Sequence, residues 1–398
     1  MKPLIILFLI IFTTLDASSF EERCHQLPPS WITETVENDL RFFTTNKISQ
    51  RALNITYEKV NSYPYPVNRY LHRFRIVNNK VYGFGEFFCP LMASILKNLV
   101  EYSLNIEKPL PPALDVIFCL IDGIPLPWDP ADYWIVEDQK DQAPILCAWK
   151  RKTAPYVIPV PQRHAMLSCH QEFEEVYAGI SYYPWERKQN KLFWKGGTSD
   201  IDLKIYENFP PEVVFQKYTK CSRFIICQLA HLYPELITAG FNSVGPRIEH
   251  FLRDFRALGS SIQKHIQYKY QILIDGFGGM GSGGNGYEWR LLSNCLTFKQ
   301  ESPNITWFEK GLKPYAHFIP VQNDLLDLME KLEWAMLHEM ECQQISKNAT
   351  DFANNYLKLE DRYYYLNYLF HEYAKCQTFT EKELTKDILK NSNWTCIQ

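Results

Sequence analysis

The sequence predicts an α/β fold of two domains with mostly parallel sheets, and three observations support this. Short apolar runs that end at turn residues alternate with segments of helical spacing. A chain of 398 residues is long enough for two hydrophobic cores. A glycine-dense loop, residues 276–286, stands between a strand-like run and a helix-like run. Glycines let backbone N–H groups approach an anion, and the start of a helix adds partial positive charge.

Composition excludes several classes of protein. The chain is 46% hydrophobic and 22% charged, and its formal net charge is −3, which argues against a nucleic-acid binder. Residues 1–19 combine Lys2, an apolar run and small residues, the pattern of a cleaved signal peptide, with an uncleaved anchor as the alternative. All 11 cysteines follow it, and some would pair in an oxidising compartment. No other segment is long and apolar enough to span a membrane.

The elements follow in order along the chain. Residues 20–110 are predicted to be helical and mixed. Apolar spacing and turn residues predict strands at 114–120, 145–149, 156–160, 192–194, 270–274 and 316–321. Residues 195–200 read as a glycine turn that opens a helix, and a second strand-like run ends at Gln300. Helical spacing predicts helices at 248–258, 262–265, 325–340 (capped by Asn323 or Asp324) and 345–370. The joint between domains is expected near 183–190, between the two sets of strands.

Two aspartates stand where predicted strands end. Asp122 follows the run 114–120, at the edge where open α/β sheets bind ligands. A carboxylate there can act as a general base, but Asp-Gly is equally a turn sequence, and the residues alone leave both alternatives open. Asp275, before Gly276, presents the same choice.

Two basic residues are candidate phosphate ligands. Arg290 follows the glycine loop, where a guanidinium could grip a diphosphate with two hydrogen bonds; a surface helix arginine is the alternative. Lys195, beside Gly196 and Gly197, is either a second phosphate contact or a solvated loop lysine. Other chemistries fit poorly, since the chain has no GxSxG, GxxxxGK[ST] or HExxH sequence.

An ordered set of motifs then resembles the CAP10-like glycosyltransferases, the Rumi or protein O-glucosyltransferase family that includes lipopolysaccharide-modifying members. The set spans residues 110–360: PWER at 184–187, LFWKGGTS at 192–199, YKYQILIDG at 268–276, SNC at 293–295, FKQ at 298–300, LKPY at 312–315 and HFIPV at 317–321. The resemblance implies a GT-B-like fold, two Rossmann-type domains facing a central cleft. It implies a domain at 20–185 that carries the catalytic base and binds the acceptor, a UDP-sugar-binding domain at 186–345, and a helical region at 346–398 that packs back on the first domain.

The resemblance also implies an activity. The family moves a sugar, usually glucose or xylose, from a UDP-sugar to a hydroxyl, with inversion and without a metal or other cofactor. Asp122 would be the base, and the acceptor would be a protein, glycan or lipopolysaccharide. The donor would be held by residues of the two glycine segments: Lys195, Gly196, Gly197, Thr198, Ser199, Asp275, Gly276, Ser282, Asn285 and Arg290. An inactive UDP-sugar- or glycan-binding protein on the same scaffold is the alternative.

The chain departs from the family pattern at the donor site. Many members have two arginines in the sequence RGSRTS, where this chain has KGGTS at 195–199. A lysine offers a point charge instead of a fork. The glycine loop is longer than in animal protein glucosyltransferases, and Arg290 comes about one helical turn later than the family's diphosphate arginine. The signal implies a lumen of the secretory pathway (endoplasmic reticulum or Golgi), secretion, or a bacterial periplasm; the C-terminus lacks a KDEL-type retention signal.

Overall fold

Two β-sheets and the helices packed on them organise the chain. The computed structural model describes residues 28–62, 70–86, 88–120, 136–198, 208–276, 279–280 and 286–397. The helices of these residues are α1 (Ser30–Asn46), α2 (Gln50–Asn61), α3 (Pro90–Asn105), α4 (Arg163–Tyr182), α5 (Pro211–Tyr218), α6 (Ser222–Leu232), α7 (Ile262–Ile266), α8 (Gly286–Leu292), α9 (Leu328–Leu337), α10 (Glu339–Tyr356), α11 (Leu359–Cys376) and α12 (Glu381–Lys390).

The first sheet is mixed. Its strands are β1 (Leu71–Val77), β2 (Lys80–Phe84), β3 (Ala113–Cys119), β4 (Ile145–Cys147), β6 (Val157–Pro159) and β15 (Trp394–Cys396). They lie in the order β15-β2-β1-β3-β4-β6. The side from β15 to β3 is antiparallel, and β3, β4 and β6 are parallel. Asn78 and Asn79, with φ of 49° and 62°, close the β1–β2 hairpin in the left-handed conformation that a tight two-residue turn requires.

The second sheet is parallel at every pairing. Its strands are β7 (Gln189–Gly197), β8 (Ile237–Ser243), β9 (Tyr268–Leu273), β12 (Leu296–Gln300) and β14 (Ile319–Val321). They lie in the order β14-β12-β9-β7-β8. Every residue of β9 and β12 is buried, as expected for strands covered by helices on both faces. The carboxyl ends of all five strands therefore meet at one edge, where ligands bind in open α/β sheets.

Two short ladders complete the strands. The strand β10 (Asp275–Gly276) pairs with β11 (Gly279–Met280) at the start of the glycine loop. The strand β13 (Asn304–Ile305) pairs with β5 (Lys150–Arg151), which follows β4. The second ladder therefore connects a segment just after the second sheet's β12 with a segment of the first sheet's half of the chain.

Each sheet has its own large hydrophobic cluster. The first contains Phe74, Ile117 and Leu146, and the second contains Tyr270 and Phe298. Near the C-terminus, helix α11 contributes residues such as Leu366 and Phe370 to the first cluster and packs on α1, α3 and α4. Burying a large apolar side chain of this kind stabilises the fold by about 1.5–3 kcal/mol.

The predicted α/β fold is confirmed, and the second sheet is parallel as expected, whereas the first sheet is antiparallel from β15 to β3. Several elements also differ from the prediction. The hairpin β1–β2, helix α4 and strand β8 were not predicted from the sequence. The predicted glycine turn at Lys195 is wrong, because β7 continues through Gly197. The predicted helix 325–340 is shorter, beginning at Leu328, and residues 345–370 belong to two helices, α10 and α11. Residues 248–258 form a 3-10 helix at Glu249–Phe255.

The predicted signal peptide lies outside the described residues. Within the described ranges, no helix combines the length and the apolar character needed to cross a membrane.

Candidate functional site

Arg223 connects the ends of two strands at the carboxyl edge of the second sheet. Its Nη1 donates to the carbonyl oxygen of Gly197 at 2.9 Å, and its Nε donates to that of Asp275 at 2.9 Å. The side chain is buried and lies in the first turn of α6. Sequence reasoning missed it. The available signal was an arginine on the apolar face of an amphipathic helix, a position where a charge needs a special partner.

Lys195 lies in β7 and is held by neutral groups. Its Nζ donates to the carbonyl oxygen of Leu258 at 3.0 Å and lies 5.7 Å from the ring centroid of Phe193. Partial burial lowers the pKa of Lys195, and the charge of Lys264 lowers it further. An anion beside Lys195 would offset both effects, because an opposite charge favours the ammonium form.

Thr198 has a structural use in this arrangement. Its hydroxyl accepts a hydrogen bond from the Gly245 N–H at 2.9 Å, and its own N–H donates to the Ser243 carbonyl at 3.2 Å. These bonds fasten Thr198, just after β7, to the last residue of β8 and to the segment that follows it. Ser199, predicted beside it, lies outside the described residues.

Asp275 is the acidic residue of the second-sheet edge. Its Oδ2 accepts hydrogen bonds from the Ser302 hydroxyl and from the Asn304 amide, the latter at 3.1 Å. Its Oδ1 is buried without a hydrogen-bond partner among the described residues. Burial raises the pKa of this carboxyl, while Ser302, Asn304 and the charge of Lys299 lower it. A ligand hydroxyl could donate to Oδ1, and an unsatisfied buried oxygen is costly enough to favour such a bond.

The glycine loop is described only at its ends. Gly276 pairs with Gly279 in the β10–β11 ladder, and Gly286 begins α8. Ser282 and Asn285, both predicted as donor-binding residues, lie outside the described residues.

Arg290 is a buried cation on α8. Only 8% of its surface is exposed, and its guanidinium lies 4.2 Å from the ring centroid of Trp289. Nη1 donates to the Gly286 carbonyl at 2.6 Å, and Nε has no partner in the described part of the chain. Burial lowers the pKa of Arg290 to about 9, and the charge of Arg223 adds to this effect. The surface-arginine alternative is therefore wrong for this residue.

His265, at the end of α7, lies between these cations. Its ring meets Phe193 edge-on with centroids 4.7 Å apart, and it meets Trp289 at 5.2 Å. Nε2 is 3.0 Å from the Ser260 hydroxyl, and Nδ1 has no described partner. Burial lowers the pKa of His265 to about 2, helped by the charges of Arg290 and Lys195. His265 is thus neutral at physiological pH, and sequence reasoning missed it too.

These contacts assemble a cationic cluster at one sheet edge. The charges of Lys195 and Arg290 both lower the pKa of His265, and the charge of Arg223 lowers the pKa of Arg290. The structure therefore brings Lys195, Gly197 and Asp275 together at the strand ends, with Arg290 on the adjoining helix. Among the described residues, three cations beside the acidic group of Asp275 leave this edge with a net positive charge, which favours a ligand with several negative charges, such as a diphosphate.

The first sheet has a cavity at the carboxyl edge of its parallel strands. Phe118, Leu146 and Val160 from the ends of β3, β4 and β6 line it, with Arg163 at the start of α4. Asp122, three residues beyond the end of β3, lies outside the described residues. The cavity therefore adjoins the strand that leads into the predicted base.

No metal centre is built from the described residues: among them, no three His, Cys, Asp or Glu side chains are grouped as metal ligands would be.

Comparison with known proteins supplies the family. The model for "Glycosyl transferase family 90" matches residues 148–396, more than half of the chain. The match includes β7, Asp275 and α8. It also confirms the resemblance drawn from the motifs between 184 and 321.

Curated relatives are similar over part of their length. The chain is 27% identical over 204 residues to protein O-glucosyltransferase 2 of Danio rerio, covering 50% of this chain and 35% of the relative. It is 28% identical over 196 residues to human protein O-glucosyltransferase 3, covering 46% and 37%. It is 24% identical over 205 residues to rat protein O-glucosyltransferase 1, covering 51% and 46%. The matched region thus spans less than half of each of these relatives.

Proposed function

Because the chain belongs to glycosyl transferase family 90, we propose that it transfers a sugar, glucose or xylose, from a UDP-sugar to an acceptor hydroxyl with inversion. The observation that carries the proposal is Arg290. It is a buried guanidinium with an unpartnered Nε among the described residues, and Arg223 lies near enough to lower its pKa. Burying a cation without a counterion is unfavourable, and a diphosphate would supply the missing charge.

The donor site consists of the second-sheet edge. Arg290, Arg223 and Lys195 stabilise the negative charge that develops on UDP as it leaves, as fixed cations do for other phosphate leaving groups. Oδ1 of Asp275 accepts a hydrogen bond from a hydroxyl of the donor. Gly196 has a packing role, because a Cβ there would lie 2.7 Å from the Trp194 ring.

Asp122 is the general base. It follows β3 by three residues in the chain, and β3 ends at the edge of the first sheet that carries the apolar cavity. Its carboxylate takes the proton of the acceptor hydroxyl, whose oxygen then attacks the anomeric carbon from the face opposite UDP. Displacement from the opposite face inverts the anomeric centre. The two Rossmann-type halves would then face each other across a GT-B-like cleft, in a reaction that needs no metal.

The relatives' names supply the remaining part of the proposal. They are protein O-glucosyltransferases, so a protein hydroxyl is the first acceptor to test, followed by glycans and lipopolysaccharide. We place the protein in the lumen of the secretory pathway or outside the cell, in keeping with the signal-like residues 1–19.

A donor screen tests the function. Purified protein is titrated calorimetrically with UDP, UDP-glucose and UDP-xylose, and UDP release is then measured with and without protein, glycan and lipopolysaccharide acceptors. Acceptor-dependent UDP release supports the transferase. Binding with no release under any acceptor would favour an inactive UDP-sugar-binding protein, an alternative that the lysine in place of arginine at Lys195 motivates.

A further inference from the structure

A buried ion pair lies directly beside the donor site without taking part in it. Nη2 of Arg362, on α11, is 3.1 Å from Oε2 of Glu288, on α8. Arg362 has 0% of its surface exposed and Glu288 has 6%. Glu288 precedes Arg290 by two residues in the same short helix. The pair therefore fixes the helix that carries the proposed diphosphate ligand.

Arg362 also reaches the first sheet's half of the chain. Its Nη1 donates to the Ala165 carbonyl at 2.7 Å, in the first turn of α4. Its guanidinium lies 5.9 Å from the ring centroid of Phe173, on the same helix. The helix α4 begins at Arg163, which lines the cavity at the carboxyl edge of the first sheet. One side chain thus contacts the helix behind the cavity and the helix of the donor site.

A second hydrogen bond of Arg362 anchors it. Nε donates to the Leu357 carbonyl at 3.0 Å, at the junction of α10 and α11. The guanidinium is therefore held by two backbone carbonyls, those of Leu357 and Ala165, and its Nη2 makes an ion pair with Glu288 at 3.1 Å. A planar fork with fixed donor directions transmits position better than a flexible ammonium does.

A second residue that contacts α8, Thr350, binds a different part of this helix. The Thr350 hydroxyl, on α10, donates to the Leu291 carbonyl at 3.3 Å and accepts from the Asn294 N–H at 3.2 Å. Thr350 thus holds the C-terminal end of α8, whereas Arg362 holds its middle and joins it to α4.

Stability alone is a poor reason for such a pair. Burying two charges costs desolvation energy that their attraction often fails to exceed, so a buried pair is weak support for a role in stability. We propose that Arg362 is a positioning residue, which through Glu288 sets Arg290 in register with the first-sheet edge. This inference rests on the proposed function, in which Arg290 binds the diphosphate.

The test compares two buried arginines. Arg362→Lys keeps a charge but loses the fork. Arg75→Lys is the matched control, because Arg75 is 1% exposed and is paired with Asp115 and Asp387 in the first sheet. We expect both variants to lower Tm, but only Arg362→Lys to raise the Kd for UDP, by about tenfold. A loss of Tm without a change in Kd in Arg362→Lys would overturn the inference.

A second measurement needs no nucleotide. In hydrogen exchange on the unliganded protein, we expect faster exchange in α8 for both Arg362→Lys and Glu288→Gln, and faster exchange in the first turn of α4 for Arg362→Lys alone. Unchanged exchange in α8 would overturn the positioning role. If wild-type protein bound no UDP, the proposed function would fail, and the exchange result would still decide whether Arg362 couples the two helices. If Arg362→Lys does not fold, Glu288→Gln still tests whether the ion pair with Arg362 holds α8.

Discussion

The guanidinium of Arg290 lies over the indole ring of Trp289, 4.2 Å from its centroid. The neighbouring groups that hold it, a π face and the Gly286 carbonyl, carry no full negative charge. Its pKa, lowered to about 9, reflects the cost of keeping this cation buried near Arg223. A site of this kind is prepared for an anion, at the expense of the stability of the unliganded protein.

Arg290→Met is expected to raise the Tm of the unliganded protein and to weaken UDP binding. The Tm rises because an apolar side chain replaces a poorly compensated cation. The Kd rises about ten- to a hundredfold, since hydrogen bonds to charged groups contribute roughly 1.5–3 kcal/mol. Calorimetry and thermal melts measure both quantities. Arg253→Met, at an exposed position, is the control; a lower Tm for Arg290→Met would contradict the idea of a charge held for its ligand.

Asp122→Asn is expected to abolish sugar transfer while leaving UDP binding intact. The amide cannot accept the hydroxyl proton, whereas the donor site in the other half of the chain is unchanged. A loss of roughly a hundredfold or more in kcat is the expected scale for a general base. UDP release and UDP titration are measured on one preparation, with Asp129→Asn, the same substitution seven residues further along the chain, as the control. Near-normal turnover would remove Asp122 from the mechanism.

His265→Phe is expected to make the protein less sensitive to acid. The pKa of His265 is lowered from 6.5 to about 2, so the folded state favours the neutral ring. Its contribution to stability is full above the unfolded pKa of 6.5 and is lost as pH falls below it, by about 1.4 kcal/mol per pH unit. Denaturant unfolding between about pH 6.5 and 4.5 measures this slope. Parallel slopes for wild type and variant would show that His265 takes up no extra proton on unfolding.

Asp275→Ala is expected to weaken binding of the UDP-sugar or UDP through the loss of one hydrogen-bond acceptor. The unpartnered Oδ1 is the oxygen available to a donor hydroxyl. Losing a hydrogen bond to a carboxylate raises Kd by about tenfold or more. Ser302→Ala is the matched variant, because it removes a partner of Oδ2 and leaves Oδ1 in place. Equal Kd values for wild type and Asp275→Ala would exclude the carboxylate from the donor site.

The parallel strands could be predicted from the sequence because buried strands consist of continuous apolar residues. The run that ends at Asp275 became β9, and the run that ends at Gln300 became β12. The helix after the glycine loop was predicted with Arg290 in its first turns, and it forms there. The family was predicted from the ordered motifs and is confirmed by the match to residues 148–396.

The hairpin β1–β2 could not be predicted from the sequence, and the reason is electrostatic. The strand β1 carries Arg73 and Arg75, which suggest an exposed segment, yet both are buried. Their charges are balanced by Asp115 on β3, whose carboxylate accepts from both guanidinium groups at 2.7–2.8 Å, and by Asp387 on α12, which accepts from Arg75 at 2.6 Å. That compensation comes from residues 40 or more positions away from Arg75 and has no local signature.

The site residues that were not predicted were missed for the same reason, because their partners are distant in the sequence. Arg223 and His265 acquire their surroundings only when α6 and α7 pack beside the strand ends. The extension of β7 through Gly197 depends on its pairing with β8, where Lys195 lies opposite Gly240. Glycine permits a turn but does not require one, and a neighbouring strand decided the conformation.

The last strand of the first sheet, β15, has a practical consequence for handling the protein. It covers the open edge of β2, and its Trp394 packs on the Phe84 ring and under the Arg75 guanidinium. A chain cut before Trp394 would leave the N–H and C=O groups on the β15 side of β2 without strand partners, and such an open edge can pair with the same edge of another molecule. Shortened versions of this protein would therefore self-associate. Turnover measured on them would reflect aggregation as well as the catalytic rate.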